Sequence, residues 1–384
     1  MKNLDKIKNF VTRFKDLSTL GVANVSATAI STVFWFYIAA LVGVNNYGEI
    51  SYLIAISHVI GIISSLGAGT TLTVYTAKGE KIQPPIFVIT IVSSLVASVI
   101  LFFIFINIGM SLYIIGYVIS VLITSELLGM KLYRRYSYYM IIQRILMVVL
   151  AIGFYYLIGN VGVILGIGLS FLIYSGRLYH GFKRTKIDFS VLKPKRGFMI
   201  NSYVLALSKA FSTNSDKLII APLFGFMILG NYQIGFQFFS ALLIIPGVVY
   251  QYILPQDASG TSHRKLKKIL IIFSVGLAVF GIAIAPIIMP VILPKFTEAI
   301  QVIQIMSLAI IPASVNVVFI SKFLGAEKSK IVLIGSGVFI AIQVIGILVL
   351  GNLFGINGMA FAFVLATISE ALFLITMDRL LKTR

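Results

Sequence analysis

The segment "NSDKLIIAPLFG" places an acid, Asp216, directly before a base, Lys217, in apolar surroundings. Residues seven apart on a helix point in directions only about 20° apart, so Lys209 shares a face with Asp216. Ser212 and Thr213 lie between them on that face. Charged side chains within apolar helices usually face a protein interior or a wet cavity. A lysine at such a place contacts an anionic group, or it only neutralises an acid that holds helices together.

Other polar side chains recur in neighbouring apolar segments. Arg144 lies about two helical turns inside one of them, where it either snorkels to the interface or binds an anion. Glu370 and Asp216 are the best candidates for coupling to a proton or a sodium ion. Polar side chains at helical spacing either line a cavity or pack helices together. They are Asn24, Thr28, Ser31 and Trp35; Ser57, His58, Ser64 and Ser65; and Gln233, Gln237 and Ser240.

Composition identifies the kind of element that carries these side chains. The chain has 384 residues, of which 59% are hydrophobic and only 11% charged, whereas about a quarter of residues in soluble domains are charged. Apolar runs long enough to cross a bilayer recur from end to end. The basic N-terminal stretch "MKNLDKIKNFVTRFKD" indicates an amphipathic cytoplasmic lead-in rather than a cleavable signal. The sequence therefore predicts an all-α, polytopic membrane protein.

Several functions are disfavoured by the same inspection. The net charge of +19 comes from short basic clusters between apolar runs, which indicates membrane topology rather than nucleic-acid binding. The chain has no cysteine, and its three histidines are too scattered for a metal site. It also lacks Walker, GxSxG and HExxH motifs and paired carboxylates. We therefore expect no cofactor, no metal and no enzymatic activity.

Twelve transmembrane helices are predicted, and basic residues give their orientation. The predicted spans are 18–44, 49–75, 86–107, 111–130, 137–158, 161–179, 198–224, 231–253, 269–290, 298–321, 331–350 and 357–378. Odd-numbered connections contain only one basic residue, Lys295, whereas even-numbered connections and both termini are rich in lysine and arginine. Because cytoplasmic connections are the basic ones, both termini are expected in the cytoplasm. Basic runs at 177–186 and 263–268 are expected to contact anionic lipid headgroups.

The two halves of the chain resemble each other. "NNYGEISYLIAIS" after span one corresponds to "ILGNYQIGFQFFS" after span seven, which pairs Gly48 with Gly230. "GNVGVILGIGLSFLIYSGRLY" corresponds to "GINGMAFAFVLATISEALFLI", which pairs Gly162 with Gly358. Six spans per half give both repeats the same orientation. We therefore predict two pseudosymmetric six-helix lobes, residues 1–190 and 191–384, around a central cleft, as in a transporter that alternates its access.

These segments resemble a known family. "YGEISY", "SDKLIIAPLFGFMILGNYQIGFQF", "LPKFTEAIQVIQIMSLAIIP" and "GINGMAFAFVLA" are similar to segments of polysaccharide-biosynthesis flippases of the O-antigen and teichuronic acid type. These flippases belong to the multidrug/oligosaccharidyl-lipid/polysaccharide (MOP) exporter superfamily. The resemblance implies a carrier of polyprenyl-diphosphate-linked oligosaccharide from the cytoplasmic to the outer leaflet of the plasma membrane. It also implies glycosyltransferases or a polymerase of the same pathway as partners.

The resemblance gives the polar residues expected roles. Lys209 and Arg144 would contact diphosphate, and the polar side chains of spans one, seven and eight would contact sugar. The latter are Asn24, Thr28, Ser31, Ser212, Thr213, Gln233 and Gln237. Asp216 and Lys217 are expected mainly to brace the outer end of span seven, with Lys217 snorkelling to the outer interface. The alternatives are a cation-coupled drug antiporter of the same superfamily and a membrane scaffold for glycosyltransferases.

Overall fold

The computed structural model describes the backbone of residues 2–182, 187–258 and 264–382. Those residues form helices and contain no β-strand. The side chains of the N-terminal lead-in, residues 2–19, and parts of the two basic runs lie outside the description. The predictions that the lead-in is amphipathic and that the basic runs contact lipid headgroups therefore fall largely on residues that are not described.

Fifteen α-helices form the described chain. They are α1 (Lys2–Val42), α2 (Val44–Ser64), α3 (Ala68–Ala77), α4 (Gln83–Phe105), α5 (Ile108–Gly129), α6 (Tyr133–Ile158), α7 (Asn160–Ser170), α8 (Ser175–Phe182), α9 (Arg196–Phe224), α10 (Phe226–Leu242), α11 (Ile244–Ala258), α12 (Arg264–Ile292), α13 (Ala299–Leu308), α14 (Ile310–Gly325) and α15 (Ser329–Lys382). Short 3₁₀ turns at Phe171–Tyr174 and Phe189–Lys195 precede α8 and α9.

The helices correspond to the predicted spans. Eight are long and apolar enough to cross a membrane, and the bent pairs α10–α11 and α13–α14 raise the number to ten. Helix α15 is two spans, because its backbone breaks at Gly355. Helix α9 provides the remaining span, although it is too polar to be recognised by composition. Counted in this way, the described residues are consistent with the twelve spans that the sequence predicts.

Glycines mark equivalent breaks in the two repeats. Gly43 separates α1 from α2 and Gly225 separates α9 from α10, and both have the positive φ that favours glycine, 78° and 90°. Gly43 lies five residues before Gly48, and Gly225 lies five residues before Gly230. The sequence match therefore reflects the same chain reversal, used once in each repeat.

A second pair of breaks precedes the last span of each repeat. Gly159 has φ 72° and ψ −148°, and Gly355 has φ 58° and ψ −142°. Three residues later, a Cβ on Gly162 or on Gly358 would overlap the backbone carbonyl eight residues before it. The equivalent backbone angles and contacts confirm that the pseudosymmetry predicted from the sequence is a property of the fold.

Packing divides the chain into two compact units. Unit 1 contains Met1–Ser31 and Ile56–Leu207, and unit 2 contains Thr32–Ala55 and Ser208–Arg384. Helices α1, α2 and α9 each contribute one part to each unit. These units reflect packing and are not the sequence repeats, so the division into lobes 1–190 and 191–384 stays a prediction.

Each unit has its own packed interior. In unit 1, α5 packs against α3, α4 and α7, and α7 packs against α6 so closely that a Cβ on Gly166 would overlap the backbone of Ala151. In unit 2, α10 packs against α13, and α14 against α11 and α15, around a core that includes Tyr232, Ile347 and Met359. Small residues at these contacts let helix backbones approach closely, as is typical of membrane helices.

Candidate functional site

Helix α9 carries the charges that the sequence singles out, and Lys209 lies on its exposed side. Among the described residues, no carboxylate lies within ion-pairing distance of the Lys209 ammonium. An ammonium in an apolar span requires a polar neighbour or a wet surface. Lys209 is therefore available to an anionic ligand.

Asp216 and Lys217 form an ion pair inside the core of unit 2. The Asp216 side chain is 1% exposed and the Lys217 side chain 7% exposed. Lys217 Nζ lies 3.2 Å from Asp216 Oδ1. The ammonium also donates to the Thr213 carbonyl at 2.9 Å and lies 4.3 Å from the centre of the Phe236 ring. The prediction that Lys217 snorkels to the outer interface is therefore wrong.

The direction of the Lys217 side chain has a simple cause. The Cα–Cβ bonds of a helix tilt toward its N-terminus. Lys217 therefore reaches back along α9 to the carbonyl four residues earlier. The aliphatic stem then packs inside unit 2, where Lys217 as a whole is only 6% exposed. Because of this tilt, a lysine near the C-terminal end of a helix does not have to reach the surface at that end.

Further buried polar groups surround the Asp216 carboxylate. Tyr232 interacts with both Asp216 and Gln343, and Ser215 donates to Gln343 Oε1 at 3.1 Å. Asp216 Oδ2, the Tyr232 hydroxyl and Gln343 Nε2 are all buried. Gln343 lies more than a hundred residues further along the chain, so local sequence patterns do not predict its membership of this cluster.

The hydroxyl groups predicted to bind sugar are bonded to their own helices. Ser212 and Thr213 donate to the carbonyls of Ser208 and Lys209, and Ser31 donates to that of Ala27. Thr28 donates in the same way to the carbonyl of Asn24, whose side chain is half-buried. A hydroxyl that donates to its helix still has lone pairs for a ligand. These residues keep an accepting role, and their predicted contact with sugar stays a prediction.

Arg144 in α6 has phenols rather than acids as its electrostatic neighbours. Its guanidinium interacts electrostatically with Tyr113, Tyr136 and Tyr174 in unit 1. Its one recorded polar contact is with the sulfur of Met147 at 3.7 Å, and Nε is buried without a hydrogen bond to the described residues. No described carboxylate lies within 4 Å of the Arg144 guanidinium nitrogens. A guanidinium without a carboxylate partner suits an oxyanion.

The sequence did not reveal the tyrosines around Arg144. They come from α5, from the first turn of α6 and from the 3₁₀ turn before α8. Tyrosine is frequent in this chain, with 18 residues, so no single one stands out.

The predicted glutamines and histidine lie in different surroundings. Gln233 and Gln237 are half-buried in α10, and Gln233 Oε1 makes no hydrogen bond to the described residues. His58 packs edge-on against Tyr117, with ring centres 5.0 Å apart. His58 is therefore a packed residue in unit 1. Gln233 keeps an acceptor free for a ligand.

The two other acids within spans also have partners. Glu370 in α15 accepts a hydrogen bond of 2.9 Å from Asn316 in α14. Glu126 in α5 pairs with Arg177 in α8 at 3.3 Å, and both side chains are at least nine-tenths buried. Glu126 thus joins two helices of unit 1. The recorded partner of Glu370, unlike that of Glu126, carries no charge.

An apolar cavity of about 420 Å³ lies in unit 2. Its wall includes Val33 and Phe36 from α1 and Ile288 from α12, with Leu293 just beyond α12. Nearly all of the lining surface is apolar. Such a wall suits hydrocarbon and offers almost no partner to a sugar or a phosphate.

Sequence comparison gives no relative, whereas structural comparison gives several. No family model and no curated protein matches the chain. The lipid II flippase MurJ in an inward closed conformation superposes with a TM-score of 0.78 at 14% identity, over 94% of this chain and 87% of that chain. An inward-facing multidrug resistance MATE family transporter of the MOP superfamily has a TM-score of 0.73 at 14% identity, over 92% and 94%.

The similarity extends to a further MATE structure. A variant of the Vibrio cholerae MATE transporter VcmN has a TM-score of 0.65 at 14% identity, over 96% of this chain and 97% of that chain. At such identities the likeness concerns the fold alone. The chain is therefore a multi-pass membrane protein with the fold of MOP-superfamily transporters, as the sequence predicts. These structural neighbours are transporters and flippases rather than enzymes.

Proposed function

We propose that the chain is a flippase that moves a polyprenyl-diphosphate-linked oligosaccharide from the cytoplasmic to the outer leaflet by alternating access. It would act in the plasma membrane, with both termini in the cytoplasm, for the synthesis of a cell-surface polysaccharide. The flippase MurJ and the MATE transporters share its fold. The fold therefore supports transport, and the choice of substrate must come from the side chains.

The choice of substrate rests on which charged side chains in the spans lack a partner of opposite charge. Arg144 and Lys209 have no carboxylate partner among the described residues. The three acids deepest in the spans are engaged, Glu126 by Arg177, Asp216 by Lys217 and Glu370 by Asn316. A protein built for cationic drugs would instead leave acids free. Unpaired cations favour an anionic substrate such as a diphosphate.

We assign the candidate roles by chemistry. The Arg144 guanidinium, with its planar set of donors, and the Lys209 ammonium would contact phosphate oxygens. Gln233 and Gln237 would contact sugar hydroxyls, with Asn24, Thr28, Ser31, Ser212 and Thr213 as further acceptors. The apolar cavity beside Val33 and Ile288 offers hydrocarbon contact for a lipid tail. Coupling to an ion gradient would fall to Glu370, because Lys217 already neutralises Asp216.

The partners follow from the same proposal. Anionic lipids would contact the basic cytoplasmic connections. Glycosyltransferases or a polymerase of the same pathway would supply or consume the saccharide. No nucleic acid is involved.

The test is a translocation assay with purified protein in liposomes. A fluorescent lipid-diphosphate sugar is placed in one leaflet, and its appearance in the other leaflet is followed. We expect protein-dependent movement, reduced at least about tenfold by Arg144→Ala or Lys209→Ala, since a hydrogen bond to a charged group contributes about 1.5–3 kcal/mol. Efflux of cationic drugs without lipid movement would support the antiporter instead. Absence of both activities would support a scaffold.

A further inference from the structure

The carboxylate of Asp216 is neutralised by the ammonium group of the next residue, Lys217. The carboxylate lies in the core of unit 2, where its residue is 1% exposed. Its Oδ1 accepts from the Lys217 backbone N–H at 2.8 Å and from the Lys217 ammonium at 3.2 Å. A buried carboxylate without such a partner would be strongly destabilised. The pair is therefore neutral as a unit, with no ion from solution.

The ammonium occupies a position that is otherwise built from oxygen atoms. Besides Asp216 Oδ1 it contacts the Thr213 carbonyl, and the Phe236 ring covers it. Asp216 Oδ2 and the Tyr232 hydroxyl are both buried, and this hydroxyl interacts with the Asp216 carboxylate. Carboxylate, carbonyl and hydroxyl oxygens are the ligands that hard cations prefer. Without the lysine side chain, Asp216 Oδ1 and the Thr213 carbonyl would be open to a free cation.

The position relative to the helix supports this view. Asp216 lies eight residues before the end of α9 at Phe224, or about 12 Å along the helix axis. The Lys217 side chain runs back toward the N-terminus of α9 and not toward its outer end. The ammonium thus lies in the interior of unit 2, where an ion from solution would have to give up its water.

We propose that Lys217 is a built-in cation that occupies a monovalent cation site formed by Asp216, Thr213 and Tyr232. In the native chain this site is closed to sodium and potassium, and Asp216 is not a coupling residue. Shortening Lys217 opens the site, and a free alkali cation then neutralises the carboxylate. This inference concerns the interior of unit 2 and does not depend on the proposed substrate.

The experiment measures the thermal unfolding midpoint of the full chain in detergent. Each variant is heated in sodium chloride, in potassium chloride and in N-methylglucamine chloride at equal ionic strength and neutral pH. We expect the same midpoint for the native chain in all three salts. Lys217→Ala leaves space for an ion, so its midpoint should rise saturably with sodium or potassium by at least about 2 °C.

Two control variants separate a bound ion from a general salt effect. Lys217→Met fills the space without a charge, so it should be destabilised and should not respond to sodium. In the double variant Asp216→Asn with Lys217→Ala the carboxylate is absent, so it should fold without any difference between the salts. Because unfolding is measured without substrate, these results are distinguishable from failure of the translocation assay.

Several outcomes would overturn the proposal. A sodium response of the native chain that disappears in Asp216→Asn would mean that the site binds a free ion despite Lys217. An equal salt response of Lys217→Ala and the double variant would exclude a site at Asp216. The Lys217→Ala variant could respond to pH but not to sodium or potassium, or it could be unfolded in all three salts. Either result would show that an alkali cation does not replace the ammonium.

Discussion

Gly48 and Gly230 lie against each other in unit 2, each beside the carbonyl group four residues before the other. A Cβ on Gly48 would overlap the oxygen of Phe226, and a Cβ on Gly230 would overlap the oxygen of Val44. The contact is reciprocal, as expected for equivalent residues of two repeats. It joins the first turns of α2 and α10 so closely that only glycine fits at either position.

We therefore expect alanine at either position to separate these two helix ends. Gly48→Ala or Gly230→Ala should lower the free energy of unfolding by about 1–3 kcal/mol, as for other overpacked sites, because the neighbouring atoms are backbone and cannot rotate away. Both variants should also slow translocation if the contact must close in each cycle. Thermal unfolding and the liposome assay measure the two effects.

The matched control is Gly247 in α11. A Cβ there meets no atom within 4 Å, and the residue is helical. Gly247→Ala should leave the protein as stable or stabilise it by about 0.5–1 kcal/mol through helix propensity. If Gly48→Ala behaved like Gly247→Ala, the contact would not be as close as the structure indicates.

The repeat was predictable from sequence because glycine has few substitutes at such positions. The glycines paired by sequence, Gly48 with Gly230 and Gly162 with Gly358, are the ones at which a Cβ would come within about 2 Å of a backbone carbonyl oxygen. Helix content and the number of spans were also predictable, since apolar length determines both. Helix α9 is not among the helices recognised as spans by length and composition, although the sequence predicts a span at 198–224.

The surroundings of the charges were not predictable in the same way. The Tyr113, Tyr136 and Tyr174 phenols reach Arg144 from separate elements, and Gln343 reaches Ser215 across 128 residues. Such contacts depend on packing between helices, which periodicity does not specify. The inward direction of Lys217 follows from helix geometry and would have been available from the sequence.

Lys209 is the first side chain to test for contact with an anionic substrate. Because it is exposed and unpaired among the described residues, Lys209→Ala should abolish flipping without reducing the amount of protein in the membrane. Complementation of a flippase-deficient strain, together with immunoblotting of membranes, checks both points. Lys330→Ala removes an exposed lysine from the first turn of α15 and should have no effect. Full complementation by Lys209→Ala would remove this residue from the site.

Arg144 should distinguish a fork of donors from a simple charge. Arg144→Lys keeps the charge but loses the planar guanidinium, so translocation should fall less than in Arg144→Ala. We expect about a tenfold or greater rise in the half-saturating substrate concentration for the alanine variant, since a charged hydrogen bond contributes about 1.5–3 kcal/mol. Arg135→Ala, an exposed arginine on the same helix, is the control. Equal kinetics of Arg144→Ala and Arg135→Ala would contradict a role in substrate binding.

Glu370 should reveal whether a carboxylate in unit 2 couples transport to an ion gradient. In Glu370→Gln the side-chain oxygen still accepts the hydrogen bond from Asn316, so the unfolding midpoint should change little. The variant has no charge to neutralise, and its translocation rate should no longer respond to an imposed proton or sodium gradient. Rates are compared in liposomes with and without each gradient.

Glu298→Gln is the matched control, because Glu298 accepts a hydrogen bond from Asn231 at 3.3 Å but is exposed. If both variants keep the native response to the gradients, coupling does not use Glu370.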